Sequence, residues 1–249
     1  MNQEMNQIQQ TIKTDVQTLT TILKSCYAVV ENPTIQLDPE GLIFRSMDRS
    51  HVALIDIRIE NSNFQQWSIT KEIKFSFDVK TLLKIVSSLN KKLSVNLEIL
   101  PEEIKIGNSE GTTNFKISEG GANDCPIPKI PYDSKIESSA GNFKTVLKGI
   151  SALSDYVTLE TSVNNCLISG KGDQGSTSSQ LYQKNGFSSE SRNDSLSTYS
   201  LEYITPFLKA MQKDQKLIIE YSTIKPCRIS AKIGISGSIH FYLAPRVEN

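Results

Sequence analysis

The chain repeats itself once, and that repeat limits its fold more than any other feature. Residues 75–99, FSFDVKTLLKIVSSLNKKLSVNLEI, align without a gap on residues 199–223, YSLEYITPFLKAMQKDQKLIIEYST, at an offset of 124 in a chain of 249. Ser76 meets Ser200, Thr81 meets Thr205 and Leu93 meets Leu217, while Asp78 meets Glu202, Leu83 meets Phe207 and Val95 meets Ile219. Each copy reads as a short strand, a helix and an alternating strand. The front parts match more loosely, with Leu19, Leu23 and Lys24 opposite Phe143, Leu147 and Lys148. A repeat at half the chain length predicts two similar domains, 1–118 and 134–249, joined by a linker at 119–133. The linker stretch EGGANDCPIPKIP (119–131) carries two glycines and three prolines. Glycine loosens a chain and proline removes a ladder donor, so an extended surface path is expected.

Strands dominate the pattern. HVALIDIRI (51–59), KLSVNLEIL (92–100), TNFKIS (113–118) and SIHFYLA (238–244) all alternate about an apolar face. Helices are expected at about 15–29, 78–90, 141–154 and 202–212. Four helices against fifteen or more strands predict an α+β fold, with helices covering antiparallel sheets on one face.

Charge narrows the function. There are 27 acidic and 27 basic residues, so the formal net charge is zero. Gross charge therefore selects no partner, and a polyanion would have to be met by a local arrangement. The predicted helices supply one. Lys80 and Lys84, Lys144 and Lys148, and Lys209 and Lys213 are each spaced i, i+4, which predicts one face per helix. Acids in these helices are confined to their starts, at Asp78 and Glu202, where a carboxylate caps free N–H groups. Alternating signs would have added a few tenths of a kcal/mol per pair, about 0.2–0.5, and that gain is forgone on three helices. The first helix offers only Lys24. Lysines without Arg, Asn or Gln base readers point to phosphate contact without sequence reading.

Other chemistry finds little support. Cys26, Cys125, Cys166 and Cys227 are far apart, with no CxxC and no nearby His, which fits neither zinc nor a disulfide framework. His51 and His240 stand in strand-like runs and belong to no catalytic or metal motif; no cofactor is expected. GKGDQG (170–175) fits the dinucleotide pattern GxGxxG, but STSSQLYQK follows where a helix is required, so a hairpin is expected. The N-terminal MNQEMNQIQQTIKTD has no apolar signal core, and no run approaches the ~18 apolar residues of a membrane helix, so an intracellular place is expected.

Two strings then carry a family resemblance. FRSMDRSHVALIDIRI (44–59) resembles the central motif of sliding clamps of the proliferating cell nuclear antigen type, and FYLAPRV (241–247) resembles their C-terminal strand and tail. The resemblance runs from about residue 12 to 247. It implies a DNA clamp fold and a ring of three subunits, homotrimeric by expectation, with helices lining a hole for duplex DNA. It also implies a non-enzymatic processivity factor, with chromosomal DNA in cytoplasm or nucleus, that tethers DNA polymerase, flap endonuclease and DNA ligase and is loaded by an ATP-dependent clamp loader. Lys84, Lys148 and Lys209 fall on DNA-facing positions of the family; Lys24, Lys80, Lys144 and Lys213 extend that set. The family's partner pocket maps to Met47, His51, Val52, Leu54, Ile127, Pro226, Tyr242, Ala244 and Pro245. Subunit contact maps to two edge strands at about 112–118 and 176–183, with Phe115, Ile117, Leu181 and Tyr182 as apolar contacts. The chain departs from the family in Pro126 at the pocket lip, in Thr20, Thr21 and Tyr27 where the first helix would carry lysines, and in a longer N-terminus. The competing reading is a clamp-fold subunit of a heterotrimeric or checkpoint-type ring, or a clamp-like interaction protein that does not encircle DNA.

Overall fold

Among the described residues, each of the four helices begins where a short polar side chain at or just past the end of a strand takes over a free backbone donor. The computed structural model describes residues 10–121, 125–162 and 165–247. Its first half runs β1 (Gln10–Asp15), α1 (Val16–Tyr27), β2 (Thr34–Asp38), β3 (Gly41–Met47), β4 (Ala53–Glu60), β5 (Gln66–Trp67), β6 (Ile73–Ser76), α2 (Val79–Ser88), β7 (Ser94–Ile99), β8 (Glu103–Asn108), β9 (Gly111–Lys116) and β10 (Ser118–Glu119). Its second half runs β11 (Ser134–Ser139), α3 (Ala140–Ile150), β12 (Tyr156–Ser162), β13 (Asn165–Gly172), β14 (Gly175–Gln180), β15 (Phe187–Ser191), β16 (Ser195–Ser200), α4 (Leu201–Ala210), β17 (Lys216–Tyr221), β18 (Cys227–Ile233) and β19 (Gly237–Leu243). Asp15 accepts from Thr18 N at 2.8 Å, Asp78 from Thr81 N at 2.5 Å, Ser139 from Asn142 N at 3.2 Å and Ser200 from Glu202 N at 3.3 Å.

The caps correct the sequence reading at one point. Ser200, not Glu202, caps α4; Glu202 sits in its first turn. The helices are also shorter than expected, and α4 stops at Ala210, so Lys213 lies beyond it and shares no helical face with Lys209. The repeat is real but not gapless. β1 and β11, and α1 and α3, begin 124 residues apart, whereas α2 and α4, and β7 and β17, begin 122 apart. Strand side chains alternate with period two, so a two-residue slip leaves buried positions on buried positions. A helix does not forgive that slip: Leu82 and Val86 correspond to Ile204 and Leu208, all buried, rather than to positions two further on.

The strands form three antiparallel sheets, in the orders β5-β1-β7-β8-β9, β10-β6-β2-β3-β4-β19-β18-β17-β11-β15 and β14-β13-β12-β16. The ten-stranded sheet joins the two halves where β4 pairs β19, from Ala53 opposite Leu243 to Arg58 opposite Ser238. The helices pack in the sequence α2, α1, α4, α3, with α1 touching both α2 and α4. Their buried stripes, including Val16, Leu19, Leu23, Phe143, Leu147 and Phe207, enter one continuous core with the inner faces of the sheets. The GKGDQG segment is the expected hairpin: β13 and β14 pair up to Gly172 opposite Gly175. His51 departs from expectation. It lies in the turn between β3 and β4 at φ 58°, and the strand starts at Ala53. His240 sits in β19, inside the ten-stranded sheet. Its Nδ1 meets the Ser230 hydroxyl at 2.9 Å, and burial lowers its pKa. The longer N-terminus and linker residues 122–124 lie outside the described residues.

Candidate DNA-facing helices and partner pocket

The helix layer keeps its lysines outward because its apolar stripes are turned to the sheets. Lys24 on α1, Lys80 and Lys84 on α2, Lys148 on α3, Lys209 on α4 and Lys213 beyond it are exposed. Among the described residues, no carboxylate pairs with any of them; the ion pairs lie on the strands. Lys144 differs. It is half-buried and its Nζ donates to the Met211 carbonyl oxygen at 2.7 Å, closing the C-terminal end of α4. Burial lowers its pKa, and the charges of Lys24 and Lys213 lower it further. The charges of Lys24 on α1 and Lys213 beyond α4 thus reach Lys144 on α3. At the start of α2, the Thr81 N–H holds the Asp78 carboxyl below the ordinary aspartate value, aided by the Thr81 hydroxyl and, more weakly, by Lys80 and Lys84.

On the opposite face of the ten-stranded sheet, register sets a row of side chains. Met47 is opposite Leu54, and Leu54 is opposite Tyr242. Leu54 and Tyr242 are only 3% and 4% exposed, yet neither joins the continuous core. β4 is buried at five successive positions, as a strand covered on both faces must be. The motif that carried the resemblance builds the rim. Asp48 accepts from the N–H groups of Ser50, Val52 and Ala53 at 2.9, 2.7 and 2.7 Å, which folds the β3–β4 turn and turns His51 out to solvent. Val52 O takes the N–H of Ala244 at 2.9 Å, so Ala244 and Pro245 leave β19 beside Val52. Farther along, Arg246 N donates to Thr198 O at 2.8 Å and its guanidinium lies 3.9 Å from the Tyr156 ring centre. Ile127 and Pro226 are half-buried, and Pro126 is exposed.

The connecting segment without regular structure begins at Gly120, because β10 takes Ser118 and Glu119 and pairs them with β6. Gly120 N donates to Lys74 O, Arg45 Nη1 to Cys125 O, and the Ser222 hydroxyl to Pro131 O. Tyr132, near its end, lies under the Arg228 guanidinium at 5.3 Å. Arg45, Asp56, Tyr132, Tyr156 and Arg246 were missed in the sequence. The one available signal was Asp56, a charge within an otherwise apolar strand.

Among the described residues the sheets have six edges, and two remain open along six residues with no proline: β9 and β14. β5 and β10 are two residues long, β15 carries Glu190, and β16 accepts the tail at Thr198. Such an edge is a template for another strand. The apolar contacts expected there divide. Phe115 and Leu181 are turned into this chain's own core, where Phe115 meets Phe77 edge-on; half-buried Ile117 packs against that core, and Tyr182 is 57% exposed.

Repeated helix-on-sheet units with a shared central sheet define the clamp class, and solved structures share it. A *Thermococcus kodakaraensis* PCNA superposes with a TM-score of 0.88 at 20% identity over 95% of this chain and 99% of that one. The *Archaeoglobus fulgidus* PCNA bound to the C-terminal region of FEN-1 gives 0.85 at 22% identity over 96% and 99%. In sequence, the family described as proliferating cell nuclear antigen, N-terminal domain, matches residues 12–106, and its C-terminal domain matches 126–246. The DNA polymerase sliding clamps of *Nitrosopumilus maritimus* and *Cenarchaeum symbiosum* are 39% and 35% identical, each over 93% of this chain and 95% of theirs. The chain belongs to the proliferating cell nuclear antigen family of sliding clamps.

Proposed function

We propose that this chain is the subunit of a homotrimeric DNA clamp that encircles duplex DNA and tethers replication and repair enzymes without catalysing a reaction. The observation that carries this reading is the joint between the halves. β4 belongs to the first half's β6-β2-β3-β4 set and pairs with β19, the outer strand of the second half's β11-β17-β18-β19 set. In the repeat, β14 takes the place of β4 and β9 takes the place of β19. The open edges are therefore the same two surfaces that already pair inside the chain. A second copy pairing β14 to β9 repeats that joint head to tail, and such an interface closes into a ring when its rotation permits. The lysine-bearing helices then share one side of the sheet, the side taken to face DNA.

The Met47–Leu54–Tyr242 row, with Val52, Ile127, Pro226, Ala244 and Pro245 around it, is the proposed pocket for short peptides of polymerase, flap endonuclease, ligase and clamp loader. An apolar row set apart from the core suits an apolar plug. Its test is calorimetric titration with a partner peptide: Leu54→Glu or Pro245→Glu abolishes binding, and retained affinity would move the pocket elsewhere. The *Sulfolobus tokodaii* PCNA2–PCNA3 complex, matched at a TM-score of 0.86, keeps a mixed ring as the second reading. Light scattering on this chain expressed alone separates the two. Three copies of a 27.7 kDa chain give about 83 kDa, whereas a mixed ring leaves it monomeric or dimeric.

A further inference from the structure

Asp56 is 2% exposed in a strand covered on both faces, and a carboxylate survives there only if its charge is met. Arg45, opposite it on β3, donates from Nε to Oδ1 at 2.7 Å, and Arg58 Nε lies 3.4 Å from Oδ2. The first bond fixes the plane of the Arg45 guanidinium and leaves Nη1 pointing away from Asp56. Nη1 donates to the carbonyl oxygen of Cys125 at 3.3 Å, 80 residues along the chain. Between Gly120 and Pro131, this is the polar tie between the connecting segment and the sheet among the described residues. The residues that follow it are PIPKI, and Pro126 and Pro128 have no N–H with which to hold themselves in place.

We infer that Arg45, oriented by Asp56, is a positioning residue that fixes the connecting segment over the Met47–Leu54–Tyr242 row and so sets how tightly a partner peptide is held. The inference rests on the proposed pocket and adds to it a pair, half-buried Arg45 and buried Asp56, beside the row rather than in it. Ordering the segment before binding removes a cost that binding would otherwise carry.

Arg45→Lys is the informative variant. It keeps a cation beside Asp56, but one ammonium cannot also reproduce the fork that reaches Cys125. Two quantities are read: amide hydrogen exchange at Ile127, Lys129 and Ile130, and the affinity of a labelled synthetic peptide copying the C-terminal region of *A. fulgidus* FEN-1. For Arg45→Lys, exchange at the three amides speeds up and the peptide binds about tenfold more weakly, with thermal midpoint and oligomer mass unchanged. Arg45→Met gives the same two effects with a lower midpoint. Unchanged exchange and affinity in Arg45→Lys, while Leu54→Glu abolishes binding, overturns the positioning role and leaves the pocket standing. Tighter binding in Arg45→Lys also overturns it, since the segment would then obstruct the row. Peptide binding that survives Leu54→Glu removes the pocket itself, and the inference with it.

Discussion

Phe207 on α4 lies stacked on Phe241 of β19, ring centroids 4.7 Å apart and 12° from parallel, and both rings are fully buried. The pair ties a helix of the second half to the strand that joins the halves. Phe207→Ala is expected to lower unfolding stability by about 3–5 kcal/mol, measured by urea denaturation at fixed protein concentration; a loss below about 1 kcal/mol would show that the site collapses freely. Asp78 gives a pH prediction. Its carboxyl is held low in the fold by the Thr81 N–H, so the folded state binds fewer protons than the unfolded chain near the ordinary aspartate value of about 3.9. That contribution is present above this value and fades as pH falls through the lower folded pKa. An NMR titration of Asp78 should place its midpoint below the aspartate norm, and an ordinary midpoint would contradict the cap. Leu54 and Tyr242 were named because their strings resemble a family motif. Arg45 and Asp56 were not, because their meeting depends on the register between β3 and β4, and the tie to Cys125 depends on the path of an extended segment that no periodicity records.

At the scale of elements, helix faces were readable and helix ends were not. Apolar spacing gave all four helices, but their final turns belong to backbone bonds such as Met211 N to Leu208 O, which end α4 before Lys213. Lys144 shows the same limit: spacing placed it with Lys148, while its ammonium closes the end of α4. In the proposed clamp, DNA contact therefore weighs most on Lys80, Lys84, Lys148 and Lys209, all exposed. Replacing Lys84, Lys148 and Lys209 with Ala should reduce polymerase processivity while the oligomer mass holds. Each phosphate contact removed should flatten the log–log salt dependence of DNA affinity by about 0.9. An unchanged slope would sink the electrostatic account.

For the whole molecule, the repeat carries more than it first states. In the proposed assembly, the joint that β4 and β19 make between the halves is repeated between copies by their open equivalents β14 and β9. Phe115 and Leu181 were expected as apolar contacts at those edges and instead enter this chain's own core: the alternation that marks them as buried does not say whether the buried side belongs to this chain or to a neighbour. Thr177→Pro and Ser178→Pro, made separately, test the edge. The one whose N–H points out of the sheet should yield a folded chain of 27.7 kDa, and trimers from both would place the interface elsewhere. The most direct test of the clamp is topological. Protein loaded by an ATP-dependent clamp loader onto circular duplex DNA should stay bound through gel filtration and be lost when a single cut linearises the circle. Retention that survives linearisation would mean that the protein grips DNA rather than encircling it.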